Sequence, residues 1–132
     1  MATPQKVLNI TAWICQLLLT ATLLWAAGMK LFQPIEQLAQ MWPWTGDNPT
    51  LTRVTGVFDL LGGLGLTLPA ALRIRPVITI YAAYSVIALM LAAIVFHISR
   101  GEGAQTGFNV FVVIVAGFVV WVRRGKVVIS ER

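Results

Sequence analysis

Apolar positions dominate four stretches of this chain, at residues 7–32, 51–72, 76–99 and 107–122, and polar positions gather between them. Each stretch approaches the roughly 20 apolar residues with which an α-helix crosses a bilayer. The expected fold class is therefore all-α: an integral membrane four-helix bundle, one domain over residues 1–132. No heptad run, low-complexity stretch or internal repeat stands out. The first stretch exceeds the roughly 7–15 apolar residues of a signal-peptide core, so a retained helix is expected, although Ala26 and Ala27 are small enough for a cleavage site.

The connections differ in length. Residues 71–75 leave room for a tight joint between the second and third helices, and Pro76 suits a helix start. Those two helices should be antiparallel neighbours. Residues 33–50, between the first and second helices, can hold structure of their own. Ile35, Leu38, Ala39 and Trp42 would share one face of a short helix. Trp42 and Trp44 suit a membrane interface. Pro43, Pro49 and Gly46-Asp47-Asn48 are expected to break regular structure. A short interfacial helix or loop should thus cap one mouth of the bundle.

Composition agrees with the pattern. Hydrophobic residues make up 58% of the chain and charged ones 11%, against about 25% charged in a soluble domain. So little polar surface suits a lipid bilayer. The net charge of +5 follows the ends and connections. Lys6, Arg73, Arg75, Arg123, Arg124, Lys126 and Arg132 fall on one side, and Lys30, Arg53 and Arg100 on the other. Lys/Arg bias then puts both termini in the cytoplasm and the capped mouth outside. The run Arg123-Arg124-Gly125-Lys126 reads as an anchor at the inner surface. No Gly-rich phosphate loop or basic–aromatic array points to nucleic acid. Cys15 is the only cysteine, so neither an internal disulfide nor a dithiol motif can form. No metal site is expected.

Ionisable groups inside a membrane are rare and mark function by default. Lys30 lies near the outer end of helix one, and His97 near the outer end of helix three. Asn109 lies near the outer start of helix four, and Asp59 lies six residues after Arg53, about 9 Å deeper. All would share the outer half, and the inner half shows no comparable cluster. Helical period lets each point inward. Asn9, Gln16, Thr20 and Ala27 form one stripe on helix one; Arg53, Gly56, Asp59 and Gly63 share a face of helix two. The glycines would let another helix approach beside the carboxylate. Asp59 and His97 are the candidate catalytic residues, able to hold and exchange protons. Lys30, Arg53, Asn109 and Trp44 are the candidate ligand-binding residues. Together they suit a polar head on an apolar body, such as a quinone or a lipid carbonyl compound.

The chain resembles the DoxX-like family of small bacterial membrane proteins. The likeness rests on Ala27-Gly28-Met29-Lys30-Leu31-Phe32, on Pro43-Trp44, and on the run from Arg53 through Phe58-Asp59-Leu60-Leu61-Gly62-Gly63 to Leu66. Leu68-Pro69, Phe96-His97, Asn109 and Arg123 follow in order. One departure is visible: the family pattern usually has Glu at the position of Asp59, which would set the carboxylate back by about 1.5 Å. The resemblance implies a four-helix protein of the bacterial cytoplasmic membrane and an association with redox complexes or with membrane assembly.

Three readings follow. The first is a membrane subunit of a redox system that holds a quinone and receives electrons from a redox partner protein. The second is a non-enzymatic assembly or scaffold protein, its glycine-rich helix two packing on a client. The third is an acid–base enzyme acting alone on a lipid-like substrate. A transporter ranks lower, since four helices make a small pathway that only a homo-oligomer would enlarge.

Overall fold

The computed structural model describes residues 2–132, all-helical apart from connections. Four long helices run up and down: α1 (Thr3–Phe32), α4 (Pro49–Leu72), α5 (Val77–Ser99) and α6 (Thr106–Trp121). Between α1 and α4 lie α2 (Ile35–Met41) and α3 (Pro43–Asp47). The long helices, the last taken from Gly103 to Lys126, are each long and apolar enough to cross a membrane. Their outward faces carry large apolar side chains, such as Ile14, Leu61, Tyr81, Val95 and Ile114. In water such a periphery would aggregate; in lipid it is the solvated face.

Helix α1 packs on α4 and α6, and α5 packs on α4 and α6, so the bundle closes in the order α1, α4, α5, α6. Glycines set the spacing of α4. A Cβ on Gly62 would stand 2.9 Å from Val86 Cγ2, and one on Gly65 would stand 2.8 Å from Ala82 Cβ, so α5 can approach only because both are bare. The same holds toward α1, where a Cβ on Gly56 would stand 2.9 Å from that of Lys30. Small residues at helix contacts are how membrane bundles pack without a hydrophobic drive between helices.

The ends differ from the expected boundaries for local reasons. Helix α1 begins at Thr3, with a proline in its first turn. Pro43 and Pro49 each open a helix rather than break one, because a first-turn residue needs no amide hydrogen bond. The α1–α4 connection is therefore two short helices. Leu38 and Trp44 are buried beneath them, so Trp44 faces the bundle instead of lying out at an interface. Arg73 ends α4 in the left-handed region at φ 55°. The C-terminal segment holds it there: the Arg73 guanidinium donates to Ser130 O at 2.9 Å, and the Arg132 amide donates to Arg73 O at 3.1 Å.

Two further expectations are corrected at the end bearing the termini. Arg123 is not a surface anchor but is 2% exposed. A π-helical turn after α6 (Val122–Lys126) carries it into the bundle. There its guanidinium donates to Gln16 Oε1 at 2.8 Å, Asn9 Oδ1 at 2.7 Å and Val127 O at 3.3 Å, with Trp13 stacked at 5.3 Å. Gln16 in turn donates to Leu66 O at 2.6 Å. A polar cluster thus exists in the half where none was expected.

Candidate functional site

The opposite end, under α2 and α3, holds a partly open cavity of about 710 Å³. Its form follows from the helix contacts. Helices α1 and α4 are hydrogen-bonded along their length, from Gln16–Leu66 and Thr20–Gly63 up to Lys30–Asp59. The glycine contacts of α4 with α5 fall in the other half of the bundle, and so does the Arg123 bridge from α6 to α1. The α1–α4 pair and the α5–α6 pair therefore meet at the termini end and part at the capped end. Leu23 and Met90 line the cavity deepest in the bundle, and Met41, Trp42 and Trp44 roof it.

One wall carries an ion pair. Lys30 Nζ lies 2.8 Å from Asp59 Oδ2, with the two side chains 15% and 1% exposed. Gly56, one helical turn from Asp59, gives Lys30 room to come that close. The ammonium also stands 5.6 Å from the centre of the Trp44 ring, an attractive cation–π geometry.

The facing wall carries His97 and Asn109, both over nine-tenths buried. His97 Nδ1 lies 3.0 Å from Glu102 Oε1. Gly101, at φ 74°, makes the turn that brings Glu102 back, and the Glu102 amide donates to His97 O at 2.8 Å. The hydrogen bond from His97, joined by one from Arg100, holds the Glu102 carboxyl below the usual carboxylate range. An ionised carboxylate at Nδ1 accepts the ring N–H and leaves Nε2 to the cavity. Arg100 bridges Glu102 Oε1 at 3.1 Å to Asp47 Oδ2 at 2.9 Å, tying this corner to α3. Trp44 stands edge-on to Phe96 and His97, with ring centres 5.7 and 6.1 Å away. His97 Nε2 and the Asn109 side-chain amide make no hydrogen bond to another described residue, and both residues line the cavity, where these atoms stay open to its volume rather than sealed in packing.

Of the six residues singled out from the sequence, Lys30, Trp44, Asp59, His97 and Asn109 line this one cavity. Arg53 does not. Its guanidinium donates to Lys30 O at 2.6 Å and Gln33 O at 3.0 Å, satisfying carbonyls left open at the end of α1. Sequence reasoning missed Glu102. The available signal was an acid five residues after His97 and directly after a glycine. A smaller cavity of about 260 Å³ lies at the termini end beside Arg124 and Thr79, and the Thr79 hydroxyl is buried without a hydrogen bond. No group of His, Cys, Asp and Glu able to hold a metal ion occurs among the described residues.

The family comparison matches residues 14–119 to the DoxX-like family. All five cavity residues lie within that span. No curated protein and no solved structure matches the chain significantly.

Proposed function

The chain belongs to the DoxX-like family, and from that premise we propose that it is a subunit of a membrane redox system that holds a quinone in the capped cavity. The observation that carries this reading is a pair of polar groups with no hydrogen bond to another described residue, His97 Nε2 and the Asn109 amide, on residues that line an apolar chamber beside an ion pair. Ligand sites of about 300–1,000 Å³ with a few convergent polar groups on apolar walls are the common pattern, and this cavity has that size and character.

A bound quinone supplies a two-electron, two-proton couple. The chain's own part is to bind, orient and move protons. Lys30 Nζ and Asn109 Nδ2 donate to a carbonyl head. His97 Nε2 gives or takes a proton, with Glu102 stabilising the imidazolium from the other side. Asp59 keeps Lys30 charged and in place. Electrons come from a redox partner protein. Arg53 serves the fold of α1 in this scheme, not the head. Seven of the ten basic residues lie at the termini end, which supports cytoplasmic termini and a cavity in the outer half of a bacterial inner membrane.

The scaffold reading loses its proposed surface, since the α4 glycines already receive α1 and α5 of the same chain. Native mass spectrometry of the detergent-purified wild type beside Asp59→Asn and His97→Ala, with extracted molecules identified, tests the proposal. A quinone carried by wild type and lost from folded variants is the expected result. Folded protein that never carries or binds a quinone, with variants that lose a protein partner instead, would return the scaffold reading.

A further inference from the structure

The cavity has walls of unequal character at its two sides. Between α1 and α6 the lining is Trp25, held edge-on against Trp42 at 5.8 Å, with Ala26, Gln105 and Phe108, so this side is aromatic and partly polar, and its two large rings also reach the outer surface. Between α4 and α5 the lining is Leu51 and Thr55 on one helix and Leu89, Ala92, Ala93 and Phe96 on the other. Leu51 and Ala92 also reach the outer surface of the bundle. Below this point Gly62 and Gly65 draw α4 and α5 together, whereas Gly56 above it receives α1 instead. The gap is thus almost wholly apolar, has two adjacent alanines on its α5 side, and is level with the lipid-facing surface.

We propose that the cavity is loaded sideways from the bilayer through the gap between α4 and α5. The occupant is a membrane-dissolved amphipath whose polar head lies between Lys30–Asp59 and His97–Asn109 and whose hydrocarbon tail passes out between Leu51 and Ala92 into lipid. This inference rests on the quinone reading and narrows it. The chamber is sized for a head, while the apolar gap gives a long tail a path that requires no unfolding of the α2–α3 roof. The α3 end of the roof is held by Asp47, Arg100, Glu102 and His97 in series, so an aqueous route at that corner would have to part charged contacts.

The test uses two probes in proteoliposomes: a dimethoxy-methyl-benzoquinone head carrying a decyl tail, and the same head without a tail. Quenching of tryptophan fluorescence reports binding, since Trp25, Trp42 and Trp44 line the cavity. Ala92→Trp fills the gap, and Val95→Trp, on the exposed face of the same helix, is the matched control. Ala92→Trp should weaken the tailed probe by about tenfold and the tailless probe by less than about twofold, the scale set by overpacking one contact. Val95→Trp should change neither.

A decyl probe bearing a diazirine in its tail gives a second reading on unaltered protein. It should label α4 near Leu51 and α5 near Ala92. Equal loss of both probes in Ala92→Trp, no loss of either, or labelling confined to Trp25, Phe108 or the roof would overturn the lateral path. If the variant does not fold, the labelling decides alone. Failure of both probes to bind wild type is a different result, and removes the quinone reading itself.

Discussion

Replacing the ion pair of the cavity wall by apolar groups separates its two roles, in stability and in binding. Asp59→Leu leaves Lys30, 15% exposed, without its carboxylate, and Lys30→Met leaves Asp59, 1% exposed, without its cation. Removing one partner of a buried pair costs about 3–5 kcal/mol. Lys30 keeps the Trp44 ring and can extend toward water, so Asp59→Leu should fall at about 3 kcal/mol. Lys30→Met should cost at least as much, because Asp59 has no second cation in contact among the described residues. The double variant removes both charges. Since apolar replacement of a buried pair is close to neutral, it should lie within about 1 kcal/mol of wild type, a coupling of at least 2 kcal/mol. Reversible unfolding in mixed micelles, followed by tryptophan fluorescence, measures all four proteins. The stable double variant should fail to bind the quinone probe. A double variant as unstable as the two losses summed would refute the electrostatic account. A stable one that binds as wild type does would remove Lys30 and Asp59 from the site.

Three other outcomes are expected. Arg53→Ala leaves the carbonyls of Lys30 and Gln33 unpaired and should cost about 2 kcal/mol, with probe affinity kept within about threefold; loss of binding by folded protein would place Arg53 at the ligand. Gly65→Val drives a side chain into Ala82, 2.8 Å from its Cβ, and should cost about 1–3 kcal/mol. Gly117→Ala meets nothing within 4 Å and should be neutral or gain up to about 1 kcal/mol; equal effects at the two glycines in the same unfolding assay would contradict the packing. The folded pKa of Glu102 is depressed, so its link to His97 and Arg100 is fully present above the ordinary glutamate value of about 4.3 and is lost as pH falls through the folded value. Tryptophan fluorescence of the roof should show an acid transition that Glu102→Gln lacks, and superimposable titrations would count against the tie.

The four spanning helices were legible because bilayer thickness fixes how long an apolar run must be. The residues of the cavity were legible for a related reason: an ionisable group in hydrocarbon stands out, and helical period says which others share its face. What period cannot give is the neighbour order and the direction a long side chain takes. Arg53 shares a face with Asp59, yet its guanidinium turns to the end of α1. Arg123 reads as one of a basic run and ends up buried, because a single π-helical turn rotates it inward. Glu102 escaped notice because its position depends on the positive φ of Gly101. The prolines of the α1–α4 connection were read as breaks when they are helix starts. Their meaning depends on the residues that follow, and a five-residue helix is too short for periodicity to show.

Arg123 at one end of the bundle and His97 with Asn109 at the other hold their polar groups in contrasting ways, and the contrast separates structure from site. Arg123 is buried, but every guanidinium nitrogen has a partner, from Gln16, Asn9 or Val127. A polar network satisfied in this way fixes how α6 meets α1 and leaves nothing for a ligand to bind. At the capped end, His97 offers a free nitrogen and Asn109 a free amide beside open volume. A polar group that is open to a cavity keeps its hydrogen-bonding capacity for whatever fills that space, and it would cost roughly 1–3 kcal/mol if an apolar occupant left it unpaired. An occupant with complementary polar atoms avoids that cost, so these two groups select for a polar head. The same logic orders the variants: changes at Arg123 should be felt first as instability, and changes at Asn109, such as Asn109→Leu, first as lost binding in a protein that unfolds no more easily. If Asn109→Leu instead destabilises the fold while the probe still binds, the unpaired amide belongs to the bundle and not to the site.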